Sequence, residues 1–599
     1  MENVIQDPFA VLTRLFFEHH TGQLMSTIGK VEEAFKRLLQ DSGQVSTVPL
    51  LSASNAASLA PWSLVRCCGM IQDMSTDTEL CQVYVNSQQS CNTLYREDFA
   101  DLFVGELDEE AGYAERCKFH CITVPGLSSW VTETLRQSRE DDASCSDAMQ
   151  CSEPNVVMKK RAAFDDGADG PSKRSRTSTM GTPDVPATDS DSAAHSAMNG
   201  HTSQQPGIDC VVKMYRVGDD LPSLNQVVEF VGILQPHSLA SEEMAQPMSD
   251  DDDLDGFLNH QQFARVAGSV HCVLHAIQFT DCRSTVCRSP SAFELTEALA
   301  LRASLHDFLS DLLGGDRLAA NYMMLHMFSG VCERRNGTLV MGNFPMNFMG
   351  PSAGKAFAAV QKAWDLLLEK QSTVALDFTS LQARSLLPTK NHVQDCLMGA
   401  PLQLAGRTFL TIDETVLTEG QLNQQGIENL SQLQNILESQ KVKYDFHYHH
   451  LDVDTDYPSI VFSNSKSLFN AYCCGVPLSP DAGDHDVHVL CSKAQEDPKL
   501  LGRWRRLLLQ AQPRPYTITD QIKDAVEQDI EREMATRPQR FNKSSVVQHN
   551  TLHTWFTVAR LLSLSKGESE LSFETWQSMK VLEDERHQRL ASFGAHQGK

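Results

Sequence analysis

No window of about 18 residues in this sequence runs without charges or polar breaks, so no transmembrane helix is expected. Basic residues are scarce. Lys plus Arg number 51 against 77 Asp plus Glu, a formal charge of −26 at pH 7. Duplex DNA carries about one negative charge per 1.7 Å, so a surface that coats DNA generally is not expected, which leaves local basic patches. A cysteine framework is missing too. The 17 cysteines are an odd number. Many sit in apolar runs such as 65–70 and 471–476, which fits small buried hydrophobes in a reducing compartment. Residues 1–15 carry Glu2 and Asp7 where a signal peptide would be basic, and Thr13 and Arg14 break the apolar run. A soluble intracellular protein is expected.

What is present is ample core material: 599 residues, 41% apolar and 21% charged. At about 150 residues per domain, roughly four domains is an upper bound. Residues 1–46 read as helical, with Phe9, Leu12, Phe16 and Phe17 on one apolar face and Val31, Phe35, Leu38 and Leu39 on another. Strand-like runs at 64–70, 82–85 and 118–124, then at 209–215 and 226–234, make 47–136 and 208–236 two halves of a barrel. Neither half has enough strands to close alone. Residues 137–207 are mostly Ser, Asp, Ala, Gly and Thr, and disorder is expected there. An acidic linker, 237–262, holds Asp250, Asp251, Asp252 and Asp253. From 263 to 510 strand and helix signals alternate, an α/β layer pattern whose first strand is 269–279. From 511 to 599 the pattern is helical. Ile518, Ile522, Val526, Ile530 and Met534 recur every four residues, and Ser572 opens the last helix as N-cap.

Candidate chemistry is thin. Gly350, Pro351, Ser352, Ala353, Gly354, Lys355 and Ala356 follow an apolar run in the manner of a phosphate loop. A working loop has four residues between its glycines and a Ser or Thr after the Lys to hold Mg²⁺. Here three intervene, one is a proline without N–H, and Ala356 has no hydroxyl, so a strand-to-helix turn is expected. The apolar run 409–412 ends in Asp413 and Glu414, the acid pair that holds Mg²⁺ and polarises water in ATPases. Without a competent loop, Gly354, Lys355, Asp413 and Glu414 read as vestigial. His447, His449 and His450 beside Asp445, Asp452, Asp454 and Asp456 hint at a metal, but no third ligand is set by spacing and an ordinary strand is expected. Cys117, His120 and Cys121 lack a second pair at zinc-finger spacing. Arg503, Trp504, Arg505 and Arg506 read as a helix end. Two basic clusters stand out on the 137–207 segment: Lys159, Lys160 and Arg161, then Lys173, Arg174 and Arg176. That bipartite spacing is what nuclear-import receptors bind, and nuclear localisation is expected.

Several motifs together carry a resemblance. They are Met70, Ile71, Gln72, Asp73 and Met74; Val124, Pro125 and Gly126 with Ser129, Trp130 and Val131; and the run 228–234. Gly315, Asp316, Arg317, Leu318, Ala319 and Ala320 follow, leading through Leu325 and His326 to Arg334 and Arg335. Further on are Asp413, Glu414 and Thr415 with Glu419, Gly420, Gln421 and Leu422, and Gln440, Lys441 and Val442 with Tyr444, Asp445, Phe446, Tyr448 and His449. Ala559 and Arg560 with Leu562, Ser563, Leu564 and Ser565 complete the set, which spans roughly 59 to 590. The chain thereby resembles the minichromosome maintenance (MCM) complex-binding protein family. The resemblance implies a non-enzymatic nuclear protein without cofactor that associates with MCM replicative helicase subunits. It implies control of helicase assembly and unloading from chromatin, hence of DNA replication, and a role in sister-chromatid cohesion; chromatin contact would be indirect, with no membrane and no strong direct DNA binding. The implied fold is a split oligonucleotide-binding (OB)-like barrel, a degenerate AAA+-like, MCM-like α/β core and a C-terminal helical lid. Two other classes stay open: a weak ATPase with an unorthodox loop, and a single-strand binder using the barrel.

Overall fold

The computed structural model describes residues 4–5, 7–19, 23–41, 47–75, 78–86, 91–96, 112–134, 207–215, 221–236, 269–282, 293–335, 339–392, 396–479, 486–510, 516–537 and 544–597. It is a mixed α/β protein with several sheets. Calls that fall on 137–206 and 237–262, including both basic clusters and the acidic block, lie outside the described residues.

Five strands pair in a closed circuit. Leu64–Met74 pairs antiparallel with Gly112–Ile122 and with Val227–Leu234. Gly112–Ile122 pairs antiparallel with Ile208–Met214. Val270–Asp281 completes the ring, parallel to Ile208–Met214 and antiparallel to Val227–Leu234. This last strand was expected to open the α/β region at 263. It belongs to the ring instead, because its apolar face, Cys272, Leu274 and Ala276, is needed to fill the interior with Val65, Cys67, Phe119 and Cys210. Successive side chains alternate between faces. The outward set, Leu64, Val231, Ile233 and Ile277, packs against Val11, Phe16 and Phe35 of the helices Pro8–His19 and Leu24–Asp41.

The second body is a five-stranded, wholly parallel sheet. In spatial order its strands are Gln371–Ala375, Phe409–Asp413, Ser459–Ser463, Met346–Met349 and Cys474–Pro477. Parallel strands need helical crossovers, so both faces are covered. Phe348, Phe409, Ile460 and Val476 face the helices Leu295–Leu312, Arg317–Met327 and Ala353–Leu367. Leu410, Ile412 and Val461 face Leu433, Ile436 and Leu437 of the helix Gln424–Ser439. The C-terminal helices join the first of these faces through Trp555, Val558, Trp576 and Met579. Ser572 caps the last of them, accepting from Thr575 N at 3.1 Å. A small sheet, Cys396–Met398, Thr389–Asn391, Lys441–Asp445 and His450–Asp454 in that order, stands apart from the main one.

Candidate functional site

In open parallel sheets, ligands sit beyond the carboxyl ends of the strands, where connections diverge to either side. Here that edge carries the loop and the acid pair together. Met346–Met349 leads into Gly350, whose φ of +138° only glycine adopts readily, and the helix Ala353–Leu367 follows. Gly350 N donates to Ser463 O at 3.0 Å, tying the loop to the neighbouring strand. Ser463 Oγ donates to Asn347 Oδ1 at 3.1 Å beneath it. Gly354 lies in the first turn of the helix, and a Cβ there would stand 3.7 Å from Thr415 Oγ1. Thr415 in turn donates to Asp413 Oδ1 from its N (2.9 Å) and Oγ1 (2.6 Å). Gly354 and Asp413 are thus brought to one place, with the strand Ser459–Ser463 between their own strands.

Lys355 is exposed, but the acids and one loop N–H are engaged within the chain. Ala353 N–H is spent on Gly350 O at 3.0 Å, and Pro351 has none to offer. Asp413 accepts from Thr415. Buried Glu414 accepts from Ser467 Oγ at 2.8 Å. Burial, aided by the Asp413 charge, pushes its carboxyl up to about 7, while the hydrogen bonds from Ser467 and from the Leu468 backbone oppose the shift. A carboxyl that is partly protonated near neutral pH is a poor Mg²⁺ ligand. The sequence pointed to Gly354, Lys355, Asp413 and Glu414 but not to Ser467, which lies far along the chain. Thr415 was legible in principle, since a hydroxyl two residues after an Asp is a local turn signal.

The raised carboxyl predicts a pH effect. A group whose folded-state value lies above its ordinary 4.5 binds its proton more tightly when folded, so it favours folding at low pH and loses that contribution as pH rises from 4.5 through 7. At about 1.36 kcal/mol per unit, the penalty at pH 8 is at most about 3 kcal/mol. Glu414→Gln keeps an acceptor for Ser467 and removes the charge. The variant should be more stable than the parent at pH 8 and indistinguishable near pH 4.5 by urea unfolding. Parallel stability–pH curves would contradict this.

Two sequence expectations are corrected. His447, His449 and His450 do not lie in one strand: residues 446–449 are a hairpin turn between Lys441–Asp445 and His450–Asp454, with His447 at φ +59°. The turn forms because Asp445 Oδ1 accepts from His447 N at 2.7 Å. Arg503, Trp504, Arg505 and Arg506 lie inside the helix Pro498–Gln510 rather than at its end, because its apolar face, Leu501, Trp504, Leu507 and Leu508, stays continuous. As for the remaining pattern, Cys117, His120 and Cys121 lie along one strand, and buried His120 pairs with Asp209. The basic clusters Lys159, Lys160, Arg161, Lys173, Arg174 and Arg176 lie outside the described residues.

Two of the motifs quoted above, 70–74 and 124–131, lie at a second place, the seam between ring and parallel sheet. Gln371 N donates to Gly126 O (2.8 Å) and Ser128 N to Glu369 O (3.0 Å). Ser129 Oγ donates to Asp365 Oδ2 (2.9 Å), and Trp130 Nε1 to Leu368 O (3.0 Å). The Arg505 guanidinium lies over the Trp130 ring at 3.9 Å, a cation–π contact. Asp73 Oδ2 accepts from Leu397 N at 2.8 Å, and Gln403 Nε2 donates to Gln72 O at 2.7 Å. Farther off, Asp316 caps the helix Arg317–Met327 and accepts twice from Arg589 of the final helix, at 2.8 and 2.6 Å.

Comparison with known proteins covers almost the whole chain. The family profile described as "Mini-chromosome maintenance replisome factor" matches residues 35–590. A mini-chromosome maintenance complex-binding protein of Arabidopsis thaliana is 28% identical, over 94% of this chain and 95% of its own. The proteins of that name from Salmo salar and Homo sapiens are each 28% identical, covering 98% and 97%, and 94% and 94%, of this chain and of their own. Motifs at the seam, at the carboxyl edge and on the final helices, together with a match over 35–590, place this chain in the mini-chromosome maintenance replisome factor family.

Proposed function

We propose that this chain is a non-enzymatic binding factor for MCM helicase subunits, a helicase-like body that occupies a partner's surface in place of a true subunit. The observation that carries the reading is the carboxyl edge. The loop and the acid pair lie together at one edge, yet Ala353 N–H, Asp413 and Glu414 are engaged by Gly350, Thr415 and Ser467 of the same chain. Further support comes from topology. Five strands closing in the order first, second, third, fifth, fourth suit an OB-like barrel. A parallel sheet with the loop strand and the acid strand one apart suits a degenerate AAA+-like core under a helical lid. The relatives' printed name, complex-binding protein, agrees. On this reading the chain controls helicase assembly and unloading from chromatin, and through them replication and cohesion.

The competing classes have less to work with. An ATPase would need the donors just described to be free. A single-strand binder would need exposed basic residues on the barrel. Yet Arg66 is paired with Glu229 at 3.2 Å, Lys118 with Glu79, and Lys213 is fully buried. Purified protein should show no Mg-ATP turnover above background; turnover abolished by Lys355→Ala would move the reading to the enzyme class. In cells, removal of the chain should leave helicase on chromatin after replication, and timely unloading without it would overturn the unloading role. The two basic clusters are proposed to direct nuclear import: neutralising all six residues should hold a tagged chain in the cytoplasm, and undiminished nuclear accumulation would refute their role.

A further inference from the structure

In the small four-stranded sheet, His450–Asp454 is an edge, and among the described residues no strand pairs with its outer side. Antiparallel pairs alternate between those that exchange hydrogen bonds and those that do not. Phe446 N donates to His449 O at 3.0 Å, and Thr455 N to Gln440 O at 2.9 Å, which fixes the phase. Asp445 N points away from its partner His450, donating to Pro388 O at 3.0 Å. By the same phase the backbone N–H and C=O of His450 and Asp452 point outward. The adjoining turn is braced. Phe446 stacks on His449 with ring centroids 5.1 Å apart, and His392 packs on His447 (5.1 Å) and Tyr448 (5.6 Å) from the neighbouring strand pair. Tyr448 at the tip is 90% exposed, and Leu451 on the edge is 50% exposed.

An open edge is a template for another strand, and charged side chains on it decide which strand is admitted. Asp452 is exposed and carries one set of the outward backbone groups, with His450 between it and the aromatic tip and Lys443 opposite it on the inner strand. We propose that this edge receives an extended Lys- or Arg-rich segment of a helicase subunit as an added strand, with Tyr448 seated in an apolar hollow beside it. This rests on the helicase-binding reading above. The span 450–452 is short, roughly 3.3 Å per residue, so the backbone bonds are few and Tyr448 supplies the anchor. The acid excludes acidic strands and favours basic ones.

The test uses the full chain and purified helicase subunits, with affinities read by biolayer interferometry and folding checked by thermal melts. Asp452→Pro deletes one outward donor at a position where an edge strand tolerates proline. It should weaken binding about tenfold or more with an unchanged melt. Asp452→Lys should do the same by repulsion and decides the matter if the proline variant fails to fold. Asp452→Asn keeps the donor; it should weaken binding less and flatten its salt dependence. Tyr448→Ala should weaken binding as strongly as the proline. Parental affinity in Asp452→Pro and Asp452→Lys would overturn the proposal while leaving helicase binding intact. Absence of binding by the parent chain would instead sink the helicase-binding reading itself. A gain in binding on neutralising 159–161 and 173–176 would assign the edge to the chain's own basic clusters and overturn it too.

Discussion

Gly126→Ala should separate the melting of the ring from that of the parallel sheet. Gly126 sits at φ +72°, where a side chain costs about 1–2 kcal/mol of strain. A Cβ there would also run into the Gln371 carbonyl oxygen, which is backbone and cannot swing aside. Gln371 N donates to Gly126 O across the same point, so relief of the collision breaks that bond. The neighbouring contacts, Ser128 to Glu369, Ser129 to Asp365 and Trp130 to Leu368 and Arg505, hang on the position of this turn. Beside these polar contacts the seam buries only a small apolar cluster, Met70, Val124, Val227 and Ala405. The expected loss is about 3 kcal/mol or more from strain, collision and the bonds that go with them. Calorimetry should resolve two transitions in the variant. One unshifted transition would show that the seam does not depend on this turn.

Asp316→Ala should release the final helix. The Asp316 side chain is 1% exposed and serves three partners. It caps Arg317–Met327 through Ala319 N (3.0 Å), accepts from Ser479 N (2.9 Å) and holds Arg589 Nη1 with both oxygens. Loss of the cap alone costs about 1 kcal/mol. Arg589 keeps the Pro477 carbonyl at 3.3 Å but loses its counter-charge, which raises the total to about 3 kcal/mol. Asp316→Asn keeps the cap and loses the charge, so it should fall between. Tyr322 and Arg586 still hold the lid through Glu583, at 2.5 Å from the Tyr322 hydroxyl, so the helix loosens at its far end first. Urea unfolding and limited proteolysis beyond Arg586 should report both effects. A loss below about 1 kcal/mol would mean the ion pair is solvated and the cap is replaceable.

Local signals were read well where local chemistry decides. The helical N-terminal segment, the Ser572 cap and the turn at Pro125 and Gly126 follow from apolar spacing, a hydroxyl and a glycine that neighbours in sequence reveal. The loop at Gly350 and the acids at Asp413 and Glu414 were legible as residues, and the missing donors could be counted. Pairing over long distances was not legible. Val270–Asp281 is an apolar run with no mark of whether it serves the ring or the parallel sheet; only its partners Ile208–Met214 and Val227–Leu234 decide. Ser467 on Glu414, Arg505 on Trp130 and His392 on His447 join residues from separate elements, and no spacing rule connects them. The hairpin at 446–449 was missed because alternating aromatics and histidines imitate a continuous strand. The turn signal, Asp445 capping His447 N, was hidden inside that alternation.

The central claim is that the folded bodies, without ATP chemistry, bind MCM helicase subunits. The most direct measurement is sedimentation equilibrium of the purified full chain with each purified helicase subunit, with and without Mg-ATP. Each is repeated with 137–206 and 237–262 replaced by Gly/Ser linkers of equal length. Specific contacts of about 1,600 Å² need a preformed surface or a segment that orders on binding. The account predicts a stable complex with at least one subunit, unaffected by nucleotide at the chain's own site and by linker replacement. Binding that vanishes with the linkers while the melt is unchanged, or no complex with any subunit, would contradict it.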